Sequence, residues 1–388
     1  MKSSIKVPFL DLRFQYTAIQ DEIESATLRV LRSGQYILGP ELKRFESEFA
    51  SYLNVPHAMG VASGTDALEL ALRVLEIGPG DDVLTVGNIC APTICAILAT
   101  GARPVLIDID PLSYNMSPKA LAAYLQNNRR NAKSAKVILP IHLYGRMADM
   151  ESIRQIAVQY QLKIVEDAAQ AHGARLGSQH AGTLGDIGCF SMYPTKNLGA
   201  CGDAGMIVTG DDLTANRLRM LRNYGEVAKY ENREQGINSR LDEIQAAILQ
   251  VKLKYIDDWT RRRMEIASRY DELFYRLGIR DDSQISLEKY SHVYHQYVIS
   301  VRDRDRFRME MQNLGVATSV HYPKPIHHQT AFRNQCRVAD NLKYTEMACQ
   351  SVVSLPLYPE LTDTQVSHVC DSVQKLFRSR QWMLQNTA

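Results

Sequence analysis

The sequence predicts an α/β fold in which a sheet lies between helices on both faces, followed by a smaller α+β part. Three observations predict it. Short apolar runs alternate with helical stretches from Met59 to Glu166. Helix starts follow strand ends through tight turns such as Ser63-Gly64-Thr65-Asp66. At 388 residues the chain is also too long for one simple core.

In chain order, residues 16–32 read as a helix that Ser33-Gly34 ends. Residues 41–53 form a second, with Leu42, Phe45, Phe49 and Leu53 on one face. Met59 to Ala62 is strand-like, and Ala67 to Leu75 is helical. The alternation continues through strand Val83–Val86, helix Pro92–Thr100, strand Pro104–Ile109 and helix 118–127, then strand Ala135–Ile141, helix 149–161 and strand Lys163–Glu166. Cys189 to Tyr193 is a further strand, stopped by Pro194, which has no N–H for a ladder. Residues 239–277 read as one nearly continuous helix, a strut between a large domain (1–255) and a small one (256–388). The small domain is expected to hold strands at 294–301 and 316–322 and helices at 303–313, 338–349 and 362–378.

Composition narrows the function. A net charge of +2 implies no basic surface for nucleic acid. The one dense basic cluster, Arg261-Arg262-Arg263, falls on a predicted helix, as a solvated face or a partner for acidic groups. No run of about 18 apolar residues is present, so no membrane span is expected, and no apolar signal core follows the N-terminus. Seven cysteines without a CxxC pair suggest reduced thiols and a cytoplasmic protein.

Chemistry concentrates where the strands end. Ligands of open α/β sheets bind beyond the carboxyl ends of the strands, which puts the Ser63-Gly64-Thr65 turn, Asp167 and Lys196 on one rim. The turn is either a plain helix cap or an anion site using the free N–H groups of a helix start. Asp167 is a cap, a metal ligand or a partner for a protonated ligand nitrogen. Lys196, in a loop of small residues after a strand, can lose water, lower its pKa and act as a nucleophilic amine. His172 has no second His or Cys at ligand spacing. His321, His327 and His328 have no carboxylate or cysteine companion in the sequence, so no metal centre is expected. No GxGxxG follows a predicted strand, which disfavours a nicotinamide dehydrogenase.

Seven motifs in order carry a resemblance: Ser33-Gly34-Gln35-Tyr36-Ile37-Leu38-Gly39, Ser63 to Leu68, Glu166 to Gly173, Ser191 to Lys196, Gly236 to Ala247, His321-Tyr322-Pro323 and Ser354-Leu355-Pro356. From about Pro8 to Leu376 the chain resembles the pyridoxal-phosphate-dependent sugar aminotransferases of the DegT/DnrJ/EryC1/StrS family. The resemblance implies a fold-type-I aminotransferase with a mixed, mostly parallel sheet, working as a homodimer with shared active sites. It implies that Lys196 binds pyridoxal 5'-phosphate through its amine and moves the proton, and that Asp167 pairs with the pyridine nitrogen. Gln170 would bond the ring hydroxyl. Gly64, Thr65 and Ser191 would hold the phosphate, with Asn238 reaching it from the neighbouring subunit. Tyr193, His321 and Tyr322 become sugar-side contacts, and Tyr36 or Tyr224 pocket walls. The family stacks an aromatic residue on the cofactor ring; counting along Val83 to Cys90 puts Cys90 there, a thiol in place of an aromatic face. The implied reaction moves an amino group from an amino acid, glutamate, to a nucleotide-linked keto-deoxy sugar at C3. A 4-keto-sugar enzyme is the nearest alternative. A dehydratase of the same fold, with histidine for the lysine, and a non-catalytic regulatory relative are the competitors; Lys196 speaks against the first, and the presence of both Lys196 and Asp167 against the second.

Overall fold

The computed structural model describes residues 6–127, 133–278 and 292–378. The chain opens with α1 (Leu12–Ala18), α2 (Gln20–Ser33) and α3 (Pro40–Leu53). It then alternates through β1 (His57–Val61), α4 (Gly64–Val74), β2 (Asp82–Val86), α5 (Ala91–Ala99), β3 (Arg103–Ile107), α6 (Pro118–Asn127), β4 (Ala135–Ile138), α7 (Met150–Tyr160) and β5 (Lys163–Asp167). A small hairpin, β6 (Arg175–Leu176) and β7 (Gln179–His180), leads to β8 (Ile187–Ser191) and β9 (Gly205–Thr209). There follow α8 (Asp212–Leu221), the hairpin β10 (Glu226–Ala228) and β11 (Glu231–Asn232), α9 (Glu243–Leu253) and α10 (Ile256–Arg276). The C-terminal part holds β12 (Tyr297–Ser300), α11 (Arg304–Asn313), β13 (Arg337–Val338), α12 (Lys343–Ser351), β14 (Val352–Leu355) and α13 (Asp363–Phe377).

Among the described residues, eight strands form the main sheet in the order β1-β9-β8-β5-β4-β2-β3-β13. Pairs from β8 to β13 are parallel, while β9 is antiparallel to both β1 and β8. The mixed, mostly parallel sheet is therefore present. Its central strands read as continuous apolar runs because both faces are covered: β2 is buried throughout, and Ile164 and Val165 are buried in β5. α3 packs with the predicted face, Leu42, Phe45, Phe49 and Leu53 all buried. A second core is built from α10, α11, α13, β12 and β14 around Tyr270, Phe307, Tyr358 and Phe377, and Val7 from the N-terminus joins it. Conversely Ile326, Leu342, Ala348 and Val352 belong to the first core.

Several elements differ from expectation, each for a local reason. The helix of residues 16–32 is two helices meeting at Ile19, whose φ of −130° is not helical. The strut of residues 239–277 is also two helices. Its apolar spacing runs on, but Lys254 and Tyr255 donate to Val251 and Lys252, tightening the turn that ends α9 before α10 begins. β8 ends at Ser191, two residues short, where its pairing with β9 ends at Gly205. β4 ends at Ile138. Residues 316–322 make only single bridges, Val316 with Val7 and Ser319 with Ser354. Residues 337–338 form a strand on β3, and the helix placed at 338–349 starts only at Lys343. Asp108 caps that start, accepting from the backbone of Tyr344 (3.0 Å) and Thr345 (2.9 Å). The basic cluster is consumed locally: Arg261 pairs with Asp258, Arg262 with Glu265 and Asp363, and buried Arg263 donates to the Tyr294 and Leu357 carbonyls.

One long-range carboxylate joins the two ends of the large core. Buried Glu243 accepts from the backbone N–H groups of Gly39 (2.9 Å), Glu41 (2.8 Å) and Leu42 (2.9 Å), capping α3 from α9. A Cβ at Gly39 would lie 2.8 Å from the Glu243 Oε2, so a larger residue there would push the capping carboxylate aside. Replacing Glu243 by Ala leaves three helix-start donors without their acceptor. Glu243→Ala is expected to lower unfolding free energy by about 3 kcal/mol in urea titrations. A loss under about 0.5 kcal/mol would show that water replaces the cap.

Candidate active site

A cavity of about 300 Å³ opens at the carboxyl rim of the sheet. The ends of β1, β2, β5 and β8 bring Gly64, Thr65, Cys90, Asp167, Gln170, Ser191, Tyr193 and Lys196 to its wall, and the C-terminal part adds Tyr322. Asn238, Tyr36, Tyr224 and His321 do not line it. Asn238 bridges Asn223 next to Tyr224, and Tyr36 and Tyr224 are about half exposed. The His321 imidazole turns to Ser354 Oγ (2.8 Å), while its backbone carbonyl accepts from the Tyr144 hydroxyl.

The cap reading of the Ser63 turn is realised by Ser63 itself. Ser63 is the cap of α4, accepting from Asp66 N (3.1 Å). Gly64 and Thr65 remain on the cavity wall at the helix start, where N–H groups and the dipole suit an anion. A Cβ on Gly64 would lie 2.6 Å from Ser191 Cβ, so only glycine lets α4 start this close to β8. Glycine thereby keeps the Ser191 hydroxyl and the helix start in one cradle.

Asp167 ends β5 and is buried. Burial pushes its carboxyl above the usual range, against the Ala169 N–H, the Lys196 charge and the Thr93 hydroxyl, which favour the ionised form. Thr93 Oγ1 donates to Oδ2 (3.0 Å) and Ala169 N to Oδ1 (3.1 Å), so both oxygens are aimed. Lys196 follows β8 in a loop tied by its own N–H to the Tyr193 carbonyl (2.8 Å). Burial lowers its amine pKa below the ordinary lysine value, opposed by Cys90 and Asp167. More of the amine is thereby unprotonated and nucleophilic at neutral pH. Gln170 accepts from Tyr144 N (2.7 Å) and donates to the Tyr322 hydroxyl (3.1 Å). Cys90 sits beside Tyr322, and burial raises its thiol pKa, so the thiol is protonated at neutral pH.

The lysine loop is held from below by residues that the motifs did not single out. Lys252 Nζ donates to the Gly199 carbonyl (2.7 Å), and Asn197 donates to the Val293 carbonyl (3.1 Å) while facing His295 Nδ1 (3.2 Å). His172, beside Phe190, is buried, and burial with the nearby Lys196 charge drives its pKa down to about 3, so it stays neutral. Thr93 was missed too, although a threonine in the first turn of a helix after β2 is a signal that could have raised it.

The residues fit pyridoxal phosphate. The cradle of Gly64, Thr65 and Ser191 suits its phosphate, the buried Asp167 carboxylate suits a protonated ring nitrogen, and the lowered-pKa amine of Lys196 suits its aldehyde. Thr93→Val keeps the shape and removes the hydroxyl that orients Asp167. It is expected to weaken cofactor binding by about tenfold, the value of one hydrogen bond to a charged group. Equilibrium titration measures it, and a change under about twofold would take Thr93 out of this role.

The chain is similar to known proteins over nearly its whole length. Residues 17–374 match the model of the DegT/DnrJ/EryC1/StrS aminotransferase family. The chain is 43% identical to a dTDP-3-amino-3,6-dideoxy-alpha-D-galactopyranose transaminase of Aneurinibacillus thermoaerophilus, over 95% of this chain and 99% of the relative. It is 39% identical to a pleiotropic regulatory protein of Geobacillus stearothermophilus, over 96% of this chain and 99% of the relative. Among solved structures it is similar to S. venezuelae DesV in complex with a ketimine intermediate, with TM-score 0.88, 40% identity and coverage of 96% and 98% of the two chains. The family model covers residues 17–374 and the transaminase relative is 43% identical over 95% of this chain, so the chain belongs to the DegT/DnrJ/EryC1/StrS aminotransferase family.

Proposed function

We propose that this protein transfers an amino group from an amino acid, glutamate, to C3 of a nucleotide-linked 3-keto-deoxy sugar. The observation that carries the reading is one cavity holding a nucleophilic lysine, a buried carboxylate and a helix start. Bound pyridoxal phosphate supplies the electron sink for the carbon that loses its proton. Lys196 Nζ anchors the cofactor and then carries the proton. Asp167, aimed by Thr93 and Ala169, keeps the ring nitrogen protonated. Gly64, Thr65 and Ser191 hold the phosphate. Gln170 and Cys90, both on the cavity wall, would hold the ring, Gln170 through a hydrogen bond and Cys90 through its sulfur. Tyr193 and Tyr322, on the cavity wall, would contact the sugar, while His321 backs Tyr322 from outside the cavity. The transaminase relatives support C3 over the C4 alternative by their names.

The reading includes a homodimer in which each subunit completes the other's site. Asn238, Tyr36 and Tyr224 lie off the cavity of their own chain, and Leu28, Leu31, Tyr36 and Ile37 expose a run of apolar surface. We assign Asn238 to the partner's phosphate site and Tyr36 and Tyr224 to its pocket wall. A cytoplasmic location accompanies this reading, supported by seven unpaired cysteines. The described residues contain no helix long and apolar enough to cross a membrane.

Lys196→Ala is expected to fold, to bind the cofactor without covalent attachment and to lose turnover by about 10³-fold or more. Turnover is followed with glutamate and a nucleotide-linked 3-keto sugar, and the aminated carbon is read by NMR. Near-normal rates would remove Lys196 from the mechanism; amination at C4 would move the enzyme to the alternative class. Shared sites give a second expectation. Mixing inactive Lys196→Ala with inactive Asn238→Ala subunits should restore part of the activity, because one hybrid site is intact. No recovery after subunit exchange would place Asn238 outside the partner's site.

A further inference from the structure

The fold supplies what the sequence lacked for the His327-His328 pair. Residues 326–328 form one turn of 3₁₀-helix, and the neighbouring α12 brings Glu346 against both rings. His327 Nε2 lies 3.2 Å and His328 Nε2 3.4 Å from the same Glu346 Oε1. All three ligand atoms fall within 4.8 Å of one another. We propose that His327, His328 and Glu346 form a binding site for a divalent transition-metal ion of the zinc class, open at its fourth position.

The spacing is the first argument. Zinc bonds of about 2.0–2.1 Å to nitrogen and oxygen in a tetrahedron put neighbouring ligand atoms about 3.3 Å apart. The two separations from Glu346 Oε1 bracket that edge without any movement of the backbone. The two rings, with centroids 4.3 Å apart, are tilted by 60° to one another and are not stacked face to face. The donor set is the second argument. Two imidazoles and a carboxylate suit zinc and its neighbours and disfavour magnesium or calcium, which take oxygen ligands. Charge is the third. Glu346 faces the point directly, and the Asp108 carboxylate acts on His327 from the start of α12.

Placement and affinity follow from the surroundings. The Ile326 N–H donates to the Gly87 carbonyl (2.9 Å) just beyond β2, and Gly87 precedes Cys90 by three residues. A bound ion would therefore clip the turn to α12 at the same rim that holds the cavity. His327 Nδ1 is buried without a hydrogen-bond partner. Metal-bound histidines ordinarily donate that second N–H, and missing outer partners cost about ten- to hundredfold in affinity. The site should hold zinc with micromolar rather than nanomolar affinity.

The test uses the cofactor-loaded full chain, stripped of metal with a chelator and titrated with Zn²⁺ and, separately, Co²⁺. The expected result is one micromolar site per subunit with a raised Tm and no response to Mg²⁺. Co²⁺ should give visible d–d bands of tetrahedral strength without a thiolate charge-transfer band. His328→Ala, at a half-exposed side chain, and Glu346→Gln should each weaken Zn²⁺ binding by about tenfold or more while keeping metal-free transaminase activity. Equal Zn²⁺ affinity in the wild type and both variants would overturn the proposal. So would a thiolate band, which would assign the ion to the exposed Cys95 or Cys201, or an absence of binding.

Discussion

The placement of the chemistry depends on the pairing of β5 with β8. In that parallel pair Glu166 stands opposite Gly188 and Asp167 opposite Cys189. Neighbouring residues of a strand point to opposite faces, so Glu166 and Asp167 serve different sides. Buried Glu166 accepts from Gly182 N (2.9 Å), Leu184 N (2.6 Å) and Gly185 N, and meets His142 Nε2 at 2.8 Å. The Ala148 N–H donates to His142 Nδ1 (3.1 Å), so the proton of this imidazole sits on Nε2 and points at Glu166. One carboxylate thus ties down the turn that feeds β8. A slip of one residue there would turn Ser191 away from Gly64 and displace the loop that carries Lys196.

The cavity gains its chemistry from opposing effects of the same burial. Taking charge out of water lowers the amine of Lys196 and raises the carboxyl of Asp167. For the lysine this favours the reactive form. For the aspartate it opposes the useful form, and the hydrogen bonds from Thr93 and Ala169 offset it. The neutral histidines nearby, His172 and His321, follow the same rule: burial removes their charge, so they do not compete for the role of cation.

Local pattern made much of this legible. The helical face of α3, the apolar run of β5 and the turn before α4 each depend on a few consecutive residues, and each was readable. So was the set of motifs lining the cavity, because strand ends in such sheets converge. What could not be read depends on partners distant in sequence. The break between α9 and α10 lies inside an unbroken apolar period and shows only in hydrogen bonds at Lys254 and Tyr255. Arg337–Val338 carries no strand signal of its own and becomes a strand because β3 offers a free edge. Glu346 stands 18 residues beyond His328, outside any ligand spacing that a reader would search. Thr93 and Lys252 act through groups 74 and 53 residues away.

The last strand of the main sheet has a consequence for biosynthesis. β13 comes from the C-terminal part of the chain, yet it pairs with β3, whose residues leave the ribosome more than two hundred positions earlier. Until then the outer edge of β3 presents unpaired N–H and carbonyl groups beside a buried apolar strand, a template for pairing with another nascent chain. The large domain therefore stays sticky through most of translation. Its protection comes from a two-residue segment that arrives almost last.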